Sequence, residues 1–251
     1  MSPCVTSAGK ARSRLRRAAR RQRRIDLKRI LAAIIAAALL LSGCTSASRP
    51  AESAPPTGTP SPSPTPVVTP TPEPEPADDE LVLVRDYIPG IFIDLKYATT
   101  DNFTGRVIYD SDEAYLRYGT VKKLLCAQNE LSGRGLSLKI WDAYRPVSAQ
   151  FKLWEICPNP VYVSDPNNGY SKHSRANTVD ITLVTDTGKS IPMPSGFDDF
   201  TSLADRDYSD VSDEAAENAR LLENVMVENG FVPYSGEWWH YSDSVAYDVY
   251  G

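Results

Sequence analysis

Ser171-Lys172-His173-Ser174-Arg175-Ala176-Asn177-Thr178-Val179-Asp180-Ile181-Thr182-Leu183-Val184 runs from a polar loop into a strand. Residues 179–184 alternate, which sets Asp180, Thr182 and Val184 on one face. His173 ends the loop and Asp180 lies on the strand that follows, so the chain can turn and bring both to one point. The chain has one other histidine, His240, with Glu237 three residues before it. Two imidazoles and one carboxylate are a common open zinc shell, and a second carboxylate that is not a ligand can take a proton from a water held there. On a regular strand Glu237 and His240 would face opposite ways, so Glu237 is expected in the turn after Gly236, with His240 on the strand proper. Each residue also has a plainer reading. Either histidine serves as a hydrogen-bonded core or surface residue, Asp180 as a strand-end cap, and Glu237 as a solvated acid.

Outward from this stretch, residues 81–84 and 91–97 read as short strands separated by the Pro89-Gly90 turn. Val121, Leu124, Leu125, Gln128 and Leu131 follow helical spacing, and Gly133-Arg134-Gly135 stops that helix. Residues 136–141 read as a strand. Pro146 opens a helix with Phe151 and Trp154 on one side, and residues 158–172 are loop. Ser212-Asp213-Glu214 starts a last helix that Asn229-Gly230 closes; strands at 231–233 and 238–241 flank the Ser235-Gly236 turn. Strands and helices mix without strict alternation, which predicts an α+β fold, a small antiparallel sheet flanked by helices.

Charge divides the 251 residues. Residues 1–77 hold 12 Lys+Arg and 4 Asp+Glu, whereas residues 78–251 hold 15 and 28. The acidic part argues against a nucleic-acid partner, which needs a basic face. Residues 10–29 carry eleven Lys/Arg and are followed by twelve uncharged apolar residues, 30–41, a run short for a membrane span. Leu41-Ser42-Gly43-Cys44 follows at once and resembles a bacterial lipobox. Residues 1–43 are therefore expected to be a lipoprotein-type signal and Cys44 the lipidation site, anchoring the chain to the outside of the cell membrane. A simple membrane anchor with an incidental Cys is the other reading. Residues 44–77, with eleven prolines, predict a semi-rigid tether, and residues 78–251 a single domain. Cys126 and Cys157 remain as an even pair in an oxidising compartment, read either as a disulfide or as two buried thiols.

Four blocks carry a resemblance. They are Asp94-Leu95-Lys96-Tyr97-Ala98-Thr99 with Asp101-Asn102-Phe103-Thr104-Gly105; Asp142-Ala143-Tyr144-Arg145-Pro146; the stretch from Ser171 to Asp180; and Glu237-Trp238-Trp239-His240-Tyr241. In this order they resemble the D-alanyl-D-alanine dipeptidases of the VanX type over about residues 81–242. The resemblance implies a zinc peptidase of the fold shared with D-Ala-D-Ala carboxypeptidases and the hedgehog N-terminal domain. It implies His173, Asp180 and His240 as Zn2+ ligands, Glu237 as catalytic base and Arg145 as stabiliser of the oxyanion. Asp142 is expected to orient Arg145 by a charge-assisted hydrogen bond. Asp142, Tyr97 and Ser171 are candidates for substrate contact; for Tyr97 and Ser171 a core tyrosine and a loop cap are the plainer alternatives.

Two departures accompany the match. The family usually has Gly where this chain has Ala176, and Ala resists positive φ, so the loop is expected to run slightly differently there. The stretch from Pro146 to His173 is shorter than in typical dipeptidases, in a region that walls their substrate pocket. The resemblance implies hydrolysis of D-Ala-D-Ala, and the leader with its lipobox-like stretch implies that this happens outside the cytoplasm. A D,D-carboxypeptidase trimming peptidoglycan stem peptides is the alternative, and a non-catalytic zinc-containing wall-binding module a second one.

Overall fold

The computed structural model describes residues 74–251. The expected signal, the Cys44 lipidation site and all but the last residues of the tether lie outside the described residues. The elements in chain order are β1 (Leu81–Leu83), α1 (Val84–Tyr87), β2 (Phe92–Ile93), a 3-10 turn (Lys96–Ala98), β3 (Tyr115–Arg117), α2 (Tyr118–Ser132), β4 (Leu136–Asp142), α3 (Val147–Ile156), a 3-10 turn (Lys172–Arg175), β5 (Thr178–Thr185), a 3-10 turn (Ser202–Ala204), α4 (Asp213–Glu228), β6 (Phe231–Tyr234) and β7 (Glu237–Asp243). The architecture is mixed α+β. Among the described residues no helix is long and apolar enough to cross a membrane.

Five strands form one sheet in the order β2-β4-β5-β7-β6, and β1 pairs antiparallel with β3 in a separate ribbon. The main sheet is not wholly antiparallel as expected: β2 runs parallel to β4. The chain passes through α2 between these strands, and such a helical crossover returns it to the same end of the sheet. The 91–97 strand is correspondingly short. After Asp94 N donates to Ile140 O at 2.9 Å, the chain leaves the ladder for the turn that carries Tyr97.

β5 lies at the centre, and residues 178–184 are buried on both faces. Val179, Ile181 and Leu183 enter the main core. The Asp180 and Thr182 face is covered by the segment after β5, which Trp238 Nε1 ties down by donating to Ser195 Oγ at 2.9 Å. A central strand with both faces covered shows alternation in direction but not in exposure.

Helices α2 and α4 pack on the sheet and on each other. α2 buries Val121, Leu124, Gln128 and Leu131 at helical spacing and packs on β4 and α4. α4 begins where Ser212 Oγ accepts from Ala215 N, with Asp213 and Glu214 in its first turn against the helix dipole. It presents Ala215, Ala216, Ala219, Leu222, Val225 and Met226 to the core. α3 departs from expectation. It buries Ala149, Gln150 and Leu153, leaving Phe151 exposed, because its inner face serves a polar cluster described below. Cys126 and Cys157 are free thiols, not a disulfide. Cys126 points to solvent from α2, whereas Cys157, at the end of α3, packs against the core.

Candidate active site

The sheet register builds the centre of the site. Asp180 on β5 stands opposite His240 on β7 and opposite Asp142 on β4. Asp180 Oδ1 lies 3.0 Å from His240 Nδ1 and its Oδ2 3.3 Å from His173 Nε2. The two imidazoles meet edge to face, 5.1 Å between ring centres. One ligand atom from each of His173, Asp180 and His240 falls within 4.8 Å of the others, a group able to hold a metal ion. Burial pushes the Asp180 carboxyl up, but the facing His173 and His240 outweigh it and hold the acid far below the usual carboxylate range.

His173 is aimed by its 3-10 turn. Ser171 caps that turn, its Oγ accepting from His173 N at 3.3 Å, and Arg145 N donates to His173 O at 3.2 Å. His173 Nδ1 lies 2.9 Å from Ala143 O. A carbonyl only accepts, so the Nδ1 proton faces it and Nε2, turned to Asp180, is the ring nitrogen left to ligate a metal, the outer-shell arrangement found behind metal-bound histidines. The turn ends at Ala176 with φ 57 and ψ 28, the left-handed conformation. Ala176 therefore adopts the positive φ that alanine resists. Its N–H closes the turn on His173 O at 3.0 Å, and the left-handed strain of about 1 kcal/mol is borne by a fully buried residue.

Glu237 and His240 come together through an irregularity. The β6–β7 register shifts between Pro233 and Tyr234, pairing Tyr234 with Glu237, the first residue of β7. Glu237 Oε2 then lies 3.4 Å from His240 Nδ1, on the same side of the strand. Loss of water and the neighbouring Asp180 charge push the half-buried Glu237 carboxyl above the usual range. Arg206 spans this hairpin. It donates to Tyr234 O at 2.7 Å and His240 O at 3.1 Å, and pairs with Glu223 at 3.0 Å.

Arg145 is clamped from three sides. Its Nε and Nη2 donate to Asp142 Oδ2 at 3.2 and 2.6 Å, and Nη1 donates to Gln150 Oε1 at 3.0 Å. The Tyr97 ring lies 5.0 Å from the guanidinium carbon. Asp142 is 0% exposed, and its other oxygen accepts from Tyr109 OH at 2.5 Å and Ala143 N at 2.8 Å. Asp142 thus stands behind Arg145 and is shielded from any substrate. Tyr97 is also buried, with its hydroxyl committed: it donates to Asp198 Oδ2 at 2.7 Å.

Asp198 is one of the residues that sequence reasoning missed. It sits in the loop after β5 with φ 52, facing Tyr97. Loss of water raises its carboxyl to about 7; the Tyr97 hydrogen bond and Arg145 pull it down, and the charges of Asp180 and Glu237 push it up. Nothing local in Gly196-Phe197-Asp198-Asp199-Phe200 separates this acid from its solvated neighbour. Gln150, Tyr109 and Arg206 were missed for the same reason, since their partners are set by topology. Arg145, His173, Asp180, Glu237 and His240, by contrast, are gathered at one place. A cavity of about 230 Å³ opens onto Glu237 and His240, walled by residues 160–164, Ser171, Lys172 and Tyr234.

Comparison with known proteins follows this geometry. The family model Peptidase_M15, described as D-ala-D-ala dipeptidase, matches residues 77–248. The D-alanyl-D-alanine dipeptidase of Escherichia coli (strain K12) is 39% identical over 162 residues, covering 64% of this chain and 83% of that protein. That of Enterococcus faecium is 35% identical over 176 residues, covering 62% and 87%. That of Streptomyces coelicolor is 35% identical over 187 residues, covering 65% and 91%. A solved structure, VanYB in complex with D-Alanine-D-Alanine, is 17% identical with a TM-score of 0.37, too loose a match to bear on this chain.

Proposed function

The chain belongs to the D-ala-D-ala dipeptidase family of peptidases, and from that premise we propose that it hydrolyses D-Ala-D-Ala with a zinc ion held by His173, Asp180 and His240. The observation that carries the reading is the buried meeting of two imidazoles and an ionised carboxylate, with a further carboxylate, Glu237, 3.4 Å from His240. This donor set suits zinc: nitrogen and oxygen ligands, the His173 Nδ1 proton donated to Ala143 O, and room for water on the cavity side. Zinc bound there supplies Lewis acidity and an activated water near neutral pH.

The chain's own residues supply the rest. Glu237, raised above the usual carboxylate range, is suited to take the water proton and hand it to the leaving amine. Arg145, locked by Asp142 and Gln150, offers a fixed positive charge to the oxyanion at no cost of reorganisation. A free dipeptide also carries an ammonium group. Asp198 is an acid with no cation of its own bonded to it, and an ammonium there would draw it into the ionised form. A wall-binding module without turnover would need neither Glu237 nor Arg145.

The basic and apolar stretch before Leu41-Ser42-Gly43-Cys44 supports an extracytoplasmic, lipid-anchored location. Intact mass of the membrane-extracted chain should start at a lipidated Cys44, and Cys44→Ala should block processing; an unmodified Cys44 in mature protein overturns the location. For the activity, the zinc-loaded full-length chain is incubated with D-Ala-D-Ala and free D-Ala is measured. Release that stops with a chelator and returns with zinc is expected. No release from the zinc-loaded chain overturns the function.

A further inference from the structure

Residues 244–251 follow β7 and form neither helix nor strand, yet their backbone is fixed along its length. Tyr247 O accepts from Arg175 Nη1 at 2.7 Å, Asp248 O from Arg117 Nη2 at 2.8 Å and Tyr250 O from Tyr144 OH at 3.0 Å. Tyr250 N donates to Ser174 O at 2.8 Å. Tyr144, Ser174 and Arg175 belong to the two stretches that carry Arg145 and His173. The segment thus stitches those stretches together from outside the cavity.

Arg117, at the end of β3, is the centre of this seam, and it is only 8% exposed. Its backbone N donates to Ala176 O at 2.8 Å and its Nε to Arg175 O at 3.1 Å, so it grips the end of the His173 turn twice. Its Nη1 donates to Asp79 O at 2.5 Å. The rings of Tyr250 and Tyr247 lie 4.8 and 5.4 Å from its guanidinium carbon. A buried guanidinium needs its N–H groups satisfied, and the 247–250 segment supplies one carbonyl and two ring faces. Gly119 makes room for the segment, since a Cβ there would sit 2.6 Å from Tyr247 OH.

Asp180 and His240 are set by strand register, whereas His173 depends on what holds its turn. That turn has four residues and ends in left-handed Ala176, a conformation that its surroundings must maintain. We infer that Arg117 and the 247–250 segment are positioning residues for His173: they hold the Arg175–Ala176 end of its turn and so keep Nε2 facing Asp180. This rests on the zinc reading and deepens it by naming what keeps the third ligand in place. A ligand already in position spares the metal the cost of ordering it, so the effect appears in metal affinity.

The test uses the full-length chain stopped after Ala246, which leaves every helix and strand intact, beside Tyr250→Ala and Arg117→Lys. Zinc dissociation constants are measured by competition with a chromophoric chelator. All three variants should bind zinc about tenfold or more weakly, as when a metal ligand loses its outer support. In the zinc-free chain their Ala176 amide, which closes the turn, should exchange with D2O about tenfold faster or more. Leu222→Ala, on the core face of α4 and outside the seam, is the control; it should lower Tm and leave both readouts unchanged. Wild-type zinc affinity in the stopped chain and in Tyr250→Ala overturns the inference, and so does an equal loss in Leu222→Ala. If the stopped chain fails to fold, Tyr250→Ala and Arg117→Lys decide by the same readouts. A wild type that binds no zinc overturns the metal reading instead; the positioning role then falls only if Ala176 exchanges equally fast in the wild type and the variants.

Discussion

Asp180 and His240 are register partners on neighbouring antiparallel strands, and their side chains meet at 3.0 Å between Oδ1 and Nδ1. Strand pairing therefore positions two of the three proposed metal ligands, and rigid sheet positions hold a site more tightly than loops do. Only His173 comes from outside the sheet, on a capped turn bonded to Ala143.

With only two histidines in the chain, the proposed zinc site has no spare imidazole. His173→Ala and His240→Ala should lose bound zinc, and with it activity. Glu237→Gln should keep zinc while kcat falls by ~10²–10⁴, the usual loss for a general base. Metal analysis of the purified variants separates the two classes, and full zinc in His240→Ala would contradict the assignment.

Arg145 and Asp142 should also divide. Arg145→Ala removes the proposed oxyanion partner, so kcat should drop about 10²–10³-fold with zinc retained. Asp142→Ala leaves a buried guanidinium without its counter-charge and should cost about 3–5 kcal/mol of stability besides lowering kcat. Urea unfolding and steady-state kinetics on both variants check this; an Asp142→Ala as stable as wild type would refute it.

Asp198 carries a pH signature. Its carboxyl titrates at about 7 when folded, against an ordinary value of 3.8. Between these values the folded chain keeps a proton the unfolded chain has lost, so this group's stabilising contribution falls as pH rises from about 4 to about 7. Asn has no charge to bury. In the zinc-free protein the Tm advantage of Asp198→Asn over wild type should grow across that window and level off above it. Its KM for the dipeptide should rise by roughly 10-fold to 100-fold, the loss of one charge-assisted bond. A constant Tm difference from pH 4 to 8 would show that Asp198 is not raised.

Arg206 holds Tyr234 O and His240 O on either side of the bulge that turns Glu237 inward. Arg206→Lys keeps the charge but cannot fork between two carbonyls. It should lower kcat by about tenfold, corresponding to ~1.4 kcal/mol of misplacement, with zinc content and KM little changed. A kcat equal to wild type would mean the hairpin holds Glu237 unaided.

Much of the site was legible because the chemistry resides in residue type and spacing. His173, Asp180, Glu237 and His240 are rare or paired groups at short separations, and Asp142 and Arg145 are three residues apart. Helix ends were legible for a similar reason: Ser212 and Asn229 act on backbone groups within a turn of themselves. Errors arose where a neighbour distant in sequence decides. Phe151 has the apolar character of a core residue but faces water, since the inner face of α3 is taken by Gln150, which serves Arg145 and Ser164. Ala176 opposes positive φ by itself, yet burial and its bond to His173 O hold it there.

The sequence by itself offered groups suited to bind a metal and move a proton, and the family resemblance added Arg145 for an oxyanion, since these are properties of side chains carried wherever the chain goes. Only the tertiary structure decided what surrounds them: Tyr97 with Asp198, 101 residues apart, Arg206 with Tyr234, 28 apart, and Tyr162 on Phe200. The physical reason is that such contacts depend on where sheet register and helix packing deliver two distant loops. No local propensity in either loop records that meeting.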